Sequence, residues 1–545
     1  MVGYEPAAML SHPSDPALLC PPATGPGVGQ RRALIALSLL ILALAAAARI
    51  YQLDKPLWLD ELHTSWAARG TWNEVGDRAR DGNQPPVYFW LCHVVTGGTG
   101  GGEALLRLPS LLASLLVLPA AWWLVGRLIG KWTAGLVAGY LLAIDPLQII
   151  YGQEARVYAL VQLVALLHVG VFALATVDAR WPRRLALVLL TVLLFYLHYT
   201  SLLVLTGEVA WYVLARRWKP AADRPGTAYT PWKLAIDLAV ALACTAPGWD
   251  ALGDIYGRRD AWRQVIGQVR VAQLFTQFNW LAIVAPASVA AVVAWFIGRR
   301  YLREGDQSHS DESTPAELSR PAWVALLACW FFVPLLLVWT ATAAGLLSLM
   351  LPRYLLIIAP VPAIAAGWLT MLPRRRSLRI AVALATCAWV TLQTAWPYGY
   401  LREDWRAAIR WIEAQERAAA DPSPVVLWAA LVEGGDRQRL QSDPRFRDYL
   451  LFPLQGYYRF ERTRPLEPLA NEAADELSPG SLLDDQCDLI RRHGSAWIVY
   501  RAGRSDISDN VEAIREQLAA PGETWQAHST PLGLLVVVQL TKAAD

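Results

Sequence analysis

Long apolar runs, separated by short polar stretches, dominate the chain from about residue 33 to residue 396. A membrane-spanning helix needs about 20 mostly apolar residues, and about eleven segments have this character, within a range of about ten to thirteen. They lie near residues 33–50, 105–126, 132–150, 156–177, 184–199, 201–215, 232–249, 280–298, 321–341, 354–372 and 380–396. The pattern predicts a polytopic α-helical membrane protein, with a tilted or re-entrant pair where the fifth and sixth segments nearly join.

The pattern changes on both sides of this region. Residues 1–30 are rich in Pro, Ala and Gly and predict a disordered tail. Beyond residue 397, the stretches VVLWAA, SAWIVY and GLLVVVQL predict short buried strands, and residues 481–493 and 508–519 predict helices between them. We therefore expect a tail, a transmembrane domain and an extracytoplasmic α/β domain, over residues 1–30, 31–396 and 397–545.

Composition supports a membrane protein. The chain has 545 residues, of which 55% are hydrophobic and only 17% charged, whereas soluble domains carry about 25% charged residues. A net charge of +3 gives no reason to expect a nucleic-acid partner. The six cysteines are scattered singly, which indicates neither a disulfide framework nor a zinc site.

Basic residues cluster in every second loop between the predicted helices. Every second loop lies on the same side of the membrane. The clusters are Arg31/Arg32, Arg127/Lys131, Arg180/Arg183/Arg184, Arg216/Arg217/Lys219, Arg299/Arg300/Arg303 and Arg374/Arg375/Arg376/Arg379. Because Lys and Arg accumulate in cytoplasmic loops, we expect a multi-pass inner-membrane protein with a cytoplasmic N-terminus. The first loop, 51–104, and the C-terminal domain then face outward. The arginine-rich outer loop 254–278 breaks this rule, and its helical apolar spacing favours a membrane-surface helix over a substrate role.

Polar side chains gather at the predicted outer edge of the bundle rather than in the middle of helices. Such residues are costly in a membrane protein, so each is a functional candidate. The set comprises Asp60, Glu61, Gln84, Arg107, Gln153, Glu154, Arg156, Tyr158, His198, Tyr199 and Arg353. This one-sided distribution predicts an outward-facing polar cavity built from several loops.

Each of these residues also has a plainer interpretation. The alternatives are a solvated loop for Asp60 and Glu61, a local ion pair for Glu154 and Arg156, a core histidine for His198, and snorkelling anchors for Arg107 and Arg353. Their collection at one edge favours a site. Arginine binds phosphate through paired hydrogen bonds, and a carboxylate can deprotonate a hydroxyl nucleophile. A lipid phosphate would bring its head group to this level.

Several stretches occur in the order seen in glycosyltransferase family 39-like proteins. They are PLWLDELHTSW, NQPPVYFWLCHVV, GEALLRLPSLLASLLVLPAAWWL, DPLQIIYGQEARVYAL, LLFYLHYTSLLVL, LPRYLLIIAP and REDWRAAIRWI. Over about residues 33–410 the chain resembles this family, which includes relatives of the protein O-mannosyltransferases and the lipid A aminoarabinose transferases in the GT-C class. The QEARVYAL stretch and the acidic pair of the first loop are its most specific parts.

The resemblance implies transfer of a hexosyl or pentosyl group from a polyprenyl-phosphate donor to a hydroxyl of a lipid, glycan or protein. Asp60 resembles the catalytic general base of an inverting reaction, and Glu61 its helper. Charge on the leaving phosphate would be stabilised by Arg156 and Arg353, with Arg107 third. No cofactor is predicted, although the pattern leaves a divalent metal open. The resemblance also implies contact with membrane lipids.

One position departs from the pattern. Aminoarabinose transferases carry a lysine just before the Pro-Pro of the first loop, whereas this chain has Gln84. The broader family label is therefore preferred. The main rival is a transporter or flippase, which more often shows inverted repeats and midplane charges; a non-catalytic binder of lipid-linked sugars is the third hypothesis.

Overall fold

The computed structural model describes ten stretches of the chain. They are residues 28–215, 229–257, 269–301, 318–347, 349–396, 402–430, 437–472, 478–501, 507–521 and 523–543. Most of the predicted tail, the basic cluster at 216–219 and the middle of the predicted surface helix, 258–268, lie outside the described residues.

Helices make up the N-terminal two thirds of the described chain. In order they are α1 Val28–Ile50, α2 Leu59–Ala67, α3 Trp72–Asp81, α4 Val87–Val95, α5 Glu103–Ile129, α6 Trp132–Ile144, α7 Pro146–Gly152, α8 Tyr158–Val177, α9 Trp181–Leu197, α10 Leu203–Ala215, α11 Pro231–Thr245, α12 Asp250–Gly257, α13 Gln273–Thr276, α14 Trp280–Tyr301, α15 Arg320–Ala343, α16 Val361–Leu369 and α17 Arg376–Gln393. Short 3₁₀ turns at Tyr199–Leu202 and Pro352–Ile358 precede α10 and α16.

Six described helical segments are long and apolar enough to cross a membrane, and a seventh qualifies if the bent pair α6–α7 counts as one span. The pair bends by 66° at Asp145, whose side chain accepts a hydrogen bond from Gln148 N and so starts a new helix. Several other predicted segments form shorter helices, namely α9, α10 and α11. The polytopic helical fold is confirmed, whereas a count of about eleven spans stays a prediction.

Small residues let the helices approach closely. A Cβ atom at Gly207 on α10 would lie 2.7 Å from the Cys329 carbonyl oxygen on α15. Similarly, a Cβ atom at Gly367 on α16 would lie 2.4 Å from the Ala134 carbonyl oxygen on α6. Glycine at these contacts brings backbones together, as is usual between membrane helices.

Two polar clusters lie between helices of the bundle rather than at its predicted outer edge. His168 Nδ1 on α8 is 2.8 Å from Glu208 Oε1 on α10, and its other ring nitrogen is 2.8 Å from Thr191 Oγ1 on α9. Arg184 holds Asp237 on α11 through bonds of 2.9 and 2.7 Å. The expectation that polar residues stay at the outer edge is therefore wrong for these helices, because mutual pairing makes their burial tolerable.

The C-terminal region forms an α/β domain. Its strands are β1 Val425–Trp428, β2 Leu466–Pro468, β3 Ser495–Arg501, β4 Trp525–Leu532 and β5 Leu535–Lys542, and its helices are α18 Trp405–Gln415, α19 Arg437–Ser442, α20 Pro444–Phe452, α21 Asp484–His493 and α22 Ile507–Leu518. The sheet order is β2-β1-β3-β5-β4. Strand β1 pairs in parallel with β2 and β3, and β5 pairs antiparallel with β3 and β4. The three predicted strands correspond to β1, β3 and β5, and the two predicted helices to α21 and α22.

Candidate active site

Helix α2 carries the acidic pair, and its sequence determines which acid is accessible. Glu61 is the third residue of the helix, and its Oε2 accepts a hydrogen bond of 3.3 Å from Trp58 N, just before the helix begins. The side chains of Leu59, Leu62 and Trp66 are buried. Asp60 points away from this buried face, and a quarter of its side chain is exposed.

Glu61 is fully buried and holds three parts of the chain together. Its two oxygens accept hydrogen bonds of 2.7 and 2.6 Å from Arg107 on α5. Its Oε1 also accepts one of 2.7 Å from Ala155 N, in the segment before α8. The carboxylate is thus occupied by the protein itself, which suits positioning rather than contact with a substrate.

The guanidinium group of Arg107 is bound on all sides by other groups of the protein. Two of its N–H groups bind Glu61, and the others donate to the carbonyl oxygens of Leu53, Lys55 and Pro56 at 2.7, 2.8 and 3.2 Å. A guanidinium has five N–H donors, and all five have partners here. A phosphate contact by Arg107 would require one of these hydrogen bonds to break, and the predicted contact stays a prediction.

Asp60 lies between two arginines from distant parts of the chain. Its Oδ2 is 3.1 Å from Arg353 Nη1 and 4.0 Å from Arg156 Nη2. Burial alone would raise the pKa of the Asp60 carboxyl, but the positive charges of Arg156 and Arg353 outweigh burial and hold this pKa below its ordinary value. Asp60 is consequently a carboxylate at neutral pH.

Arg156 is fixed by its backbone and only partly engaged by its side chain. Its carbonyl oxygen accepts a 2.6 Å hydrogen bond from Ser110 Oγ, and its Nη1 donates to the Asp60 carbonyl oxygen at 3.0 Å. Among the described residues, its buried Nε–H has no hydrogen-bond acceptor. A buried donor without a partner costs about 1–3 kcal/mol, so this atom is a candidate contact for a bound anion.

Aromatic and imidazole rings line the arginine pair. The Arg156 guanidinium carbon lies 5.8 Å from the centre of the Tyr158 ring, and Tyr158 in turn lies 5.8 Å from His198. The His198 ring is 5.5 Å from Tyr354.

Glu154 and Arg402 lie close to each other, and Arg402 also approaches Glu61. Burial and the neighbouring charge of Glu61 raise the pKa of Glu154 to about 8. Arg402 Nη2 is 3.9 Å from Glu154 and Arg402 Nη1 is 4.0 Å from Glu61. With Glu61 matched by Arg107 and Glu154 mostly protonated near neutral pH, the site holds more positive than negative charge, which suits an anionic ligand.

Three other residues were predicted to line the cavity, namely Gln153, Tyr199 and Gln84. Gln153 Nε2 donates to the carbonyl oxygens of Ala48, Arg49 and Tyr51, at distances of 3.3, 3.1 and 2.6 Å, and so caps the end of α1. The amide N–H groups of Gln153 are thus used within the protein, and its predicted cavity role stays a prediction. Tyr199 packs against Phe195, with ring centres 5.1 Å apart, and Gln84 lies half-buried between α3 and α4.

Metal binding was left open by the sequence. Among the residues that the structure describes, no three His, Cys, Asp or Glu side chains gather as a metal site. Metal dependence stays untested.

The raised pKa of Glu154 predicts a pH-dependent stability. A carboxyl whose folded pKa exceeds its unfolded value favours folding below the unfolded pKa, about 4.3, and this contribution is lost as pH rises through about 8. We expect the thermal midpoint of detergent-solubilised protein to fall between pH 5 and 8, and Glu154→Gln to flatten this fall. An unchanged pH profile in the variant would contradict the assignment.

Comparison with solved structures identifies the architecture. The crystal structure of ArnT from Cupriavidus metallidurans bound to undecaprenyl phosphate matches with a TM-score of 0.51 and 14% identity, covering 94% of this chain and 98% of that chain. Its apo form matches with the same TM-score and coverage at 16% identity. An oligosaccharyltransferase from Archaeoglobus fulgidus gives a TM-score of 0.45 and 12% identity, over 73% of this chain and 63% of that one.

The two ArnT matches show the fold alone: this chain shares the architecture of that membrane protein. No protein-family model matches the sequence, and no curated protein matches it either. The predicted fold class is confirmed: a bundle of membrane helices followed by a small α/β domain.

Proposed function

We propose that this protein is a membrane glycosyltransferase that transfers a sugar from a polyprenyl-phosphate donor to an acceptor hydroxyl. The single observation that carries the proposal is the arrangement of Asp60, a partly exposed carboxylate, between Arg353 and Arg156. A base and a phosphate-binding pair are thereby adjacent. The GT-C fold and the ArnT complex with undecaprenyl phosphate support a lipid-linked donor.

In the proposed reaction Asp60 acts as the general base. The acceptor oxygen attacks the anomeric carbon while its proton passes to Asp60. The bond between that carbon and the donor phosphate oxygen breaks, and polyprenyl phosphate leaves. Attack from the face opposite the phosphate inverts the anomeric configuration. The phosphate is already a good leaving group, so the arginines need only stabilise its charge.

The arginines link donor binding to the strength of the base. Without donor, Arg353 is hydrogen-bonded to Asp60, which lowers the pKa of the carboxyl and weakens it as a base. A donor phosphate would compete for the same guanidinium N–H groups. Asp60 would then regain basicity when the donor is in place, which limits proton abstraction to the loaded enzyme.

Gln84 cannot supply a positive charge where aminoarabinose transferases have lysine. Here Arg156 and Arg353 supply the proposed phosphate contacts, and Arg402 adds a third cation nearby. This composition supports a family 39-like enzyme without assigning aminoarabinose as its sugar. The acceptor is a lipid, glycan or protein of the cell envelope, and we place the reaction on the extracytoplasmic face, with the N-terminus in the cytoplasm.

Truncating either arginine should weaken donor binding. A hydrogen bond to a charged group is worth about 1.5–3 kcal/mol, so Arg156→Ala and Arg353→Ala should each raise the dissociation constant for undecaprenyl phosphate at least about 10-fold. Titration by intrinsic tryptophan fluorescence measures this constant. Arg447→Ala is the matched control, because Arg447 pairs with Glu467 in the C-terminal domain. Equal effects at all three positions would remove the phosphate role.

A transporter is the alternative, and the interhelical polar pairs at Glu208 and Asp237 give it one specific observation. Each of these acids is paired with a basic side chain on another helix, which is also how membrane helices are held together. Reconstituted vesicles separate the two functions. Movement of a fluorescent polyprenyl-phosphate lipid that survives Asp60→Asn, without any sugar transfer by the wild type, would favour transport.

A further inference from the structure

The N-terminus of α2, which carries Asp60, is held by the C-terminal domain. The first residue of the helix, Leu59, donates its N–H to Glu403 Oε2 at 2.8 Å. Leu57 N likewise donates to the Tyr458 hydroxyl at 2.8 Å. The first N–H groups of a helix lack partners within the helix itself. Here Glu403, 344 positions away along the chain, supplies the partner for Leu59 N–H, and Tyr458 fixes the segment just before the helix.

Glu403 is itself tightly held. It is 3% exposed, and its Oε2 also accepts a 3.2 Å hydrogen bond from Trp405 Nε1. Its Oε1 pairs with Arg501 Nε at 2.5 Å, at the end of strand β3. Both carboxylate oxygens therefore have defined partners, which fixes the side chain in one orientation.

The backbone of Glu403 is fixed by the hairpin that joins β4 to β5. Glu403 forms an isolated antiparallel bridge with Gly533, and Leu534 N donates to the Arg402 carbonyl oxygen at 3.1 Å. Gly533 has a φ of +66°, and a Cβ atom there would lie 2.3 Å from that carbonyl oxygen. The hairpin thus places Arg402 and Glu403 at the site together.

We propose that Glu403 is a positioning residue through which the C-terminal sheet fixes Asp60 relative to Arg156 and Arg353. Strands of the sheet contact Glu403. Glu403 accepts a hydrogen bond from Leu59 N, and Leu59 is the neighbour of Asp60 in the chain. The inference rests on the proposed function. Its geometric part, control of the α2 N-terminus, can be tested without any activity.

Catalysis is sensitive to such placement. A misplacement of about 1 Å costs up to about 100-fold in rate. Glu403→Ala should therefore lower kcat about 10- to 100-fold and change KM for the donor less than about 3-fold. Glu403→Gln keeps an oxygen for Leu59 N–H and should recover most of this loss.

The pH profile separates an effect on Asp60 from a mere loss of stability. The charged and titratable groups that act on Asp60 include Arg156, Arg353, Arg501, His63 and Glu154, and Arg501 helps to keep the carboxyl deprotonated. Arg501→Gln should therefore move the acid limb of the kcat profile to higher pH. A variant that is only less stable would lose folded protein without moving this limb.

Two glycines provide a matched pair. Gly533→Ala would push against Arg402, whereas Gly494, with nearly the same φ of +67°, has no atom within 4 Å of an added Cβ. Both changes carry a similar backbone strain. We expect Gly533→Ala to lower kcat and Gly494→Ala to leave kcat of the folded protein unchanged.

Hydrogen exchange of the peptide 57–67 is the readout independent of activity. Glu403→Ala and Gly533→Ala should exchange at least about 10-fold faster there than wild type, while Gly494→Ala should not. Wild-type exchange and kcat in folded Glu403→Ala would overturn the positioning role. If the wild type shows no sugar transfer but exchange still responds to Glu403→Ala, the proposed function fails and the structural link stands.

Discussion

Asp60→Asn is expected to reduce sugar transfer about 10²- to 10⁴-fold, since this is what general-base catalysis contributes. Asparagine keeps the shape of the side chain and an oxygen for the Arg353 hydrogen bond, but it cannot take the proton of the acceptor hydroxyl. The measurement is release of radiolabelled polyprenyl phosphate from a polyprenyl-phosphate sugar in membranes or detergent. Donor binding should survive, because Arg156 and Arg353 are unchanged.

Asp54→Asn is the matched control for this change. Asp54 lies in the same loop, is exposed and precedes α2. Its variant should transfer sugar at the wild-type rate. Undiminished transfer by folded Asp60→Asn would remove Asp60 from the catalytic role, and an equal loss in both variants would point to a general effect on the loop.

Arg107→Met is expected to have the largest effect on stability. Removing one partner of a buried ion pair costs about 3–5 kcal/mol, because the remaining charge is left buried without compensation. Here the uncompensated group would be Glu61, which is fully buried, and three backbone carbonyls would lose their donor as well. The measurement is the thermal midpoint of the purified protein in detergent, together with the yield of folded protein.

The control is Arg447→Met, which removes an arginine from a partly exposed pair with Glu467. Pairs of this kind contribute about 0–1 kcal/mol, so its midpoint should stay close to that of wild type. If Arg107→Met were as stable as Arg447→Met and bound donor more weakly, Arg107 would return to the phosphate role that its contacts argue against.

Much of the fold could be predicted because membrane helices and buried strands have strong local patterns. The apolar runs gave the helical bundle, and VVLWAA, SAWIVY and GLLVVVQL correspond to three strands of the sheet. Strand β4 was missed because its residues are mostly exposed, so its sequence shows little apolar alternation. The break at Asp145 was missed as well, since hydropathy averaged over a window does not register a bend between two apolar helices.

The site was predictable only in part, because sequence shows which side chains are polar but not which ones are already satisfied. Asp60, Arg156 and Arg353 are brought together as the polar edge suggested. Arg107 and Gln153 belong to the same edge, yet the N–H groups of Arg107 are taken by Glu61 and backbone carbonyls, and those of Gln153 by backbone carbonyls. Nothing in the stretch REDWRAAIRWI singled out Arg402 or Glu403, because their partners lie far away in the chain.

The contact between Leu59 and Glu403 also concerns the biosynthesis of the protein. The two residues are 344 positions apart, and ribosomes add about 5–20 residues per second. Leu59 is therefore added to the chain roughly 17–70 seconds before Glu403. Because Arg501 and Gly533 are made later still, helix α2 can reach its final position only near the end of translation. We expect a nascent chain truncated before residue 402 to enter the membrane without consuming its lipid-linked donor.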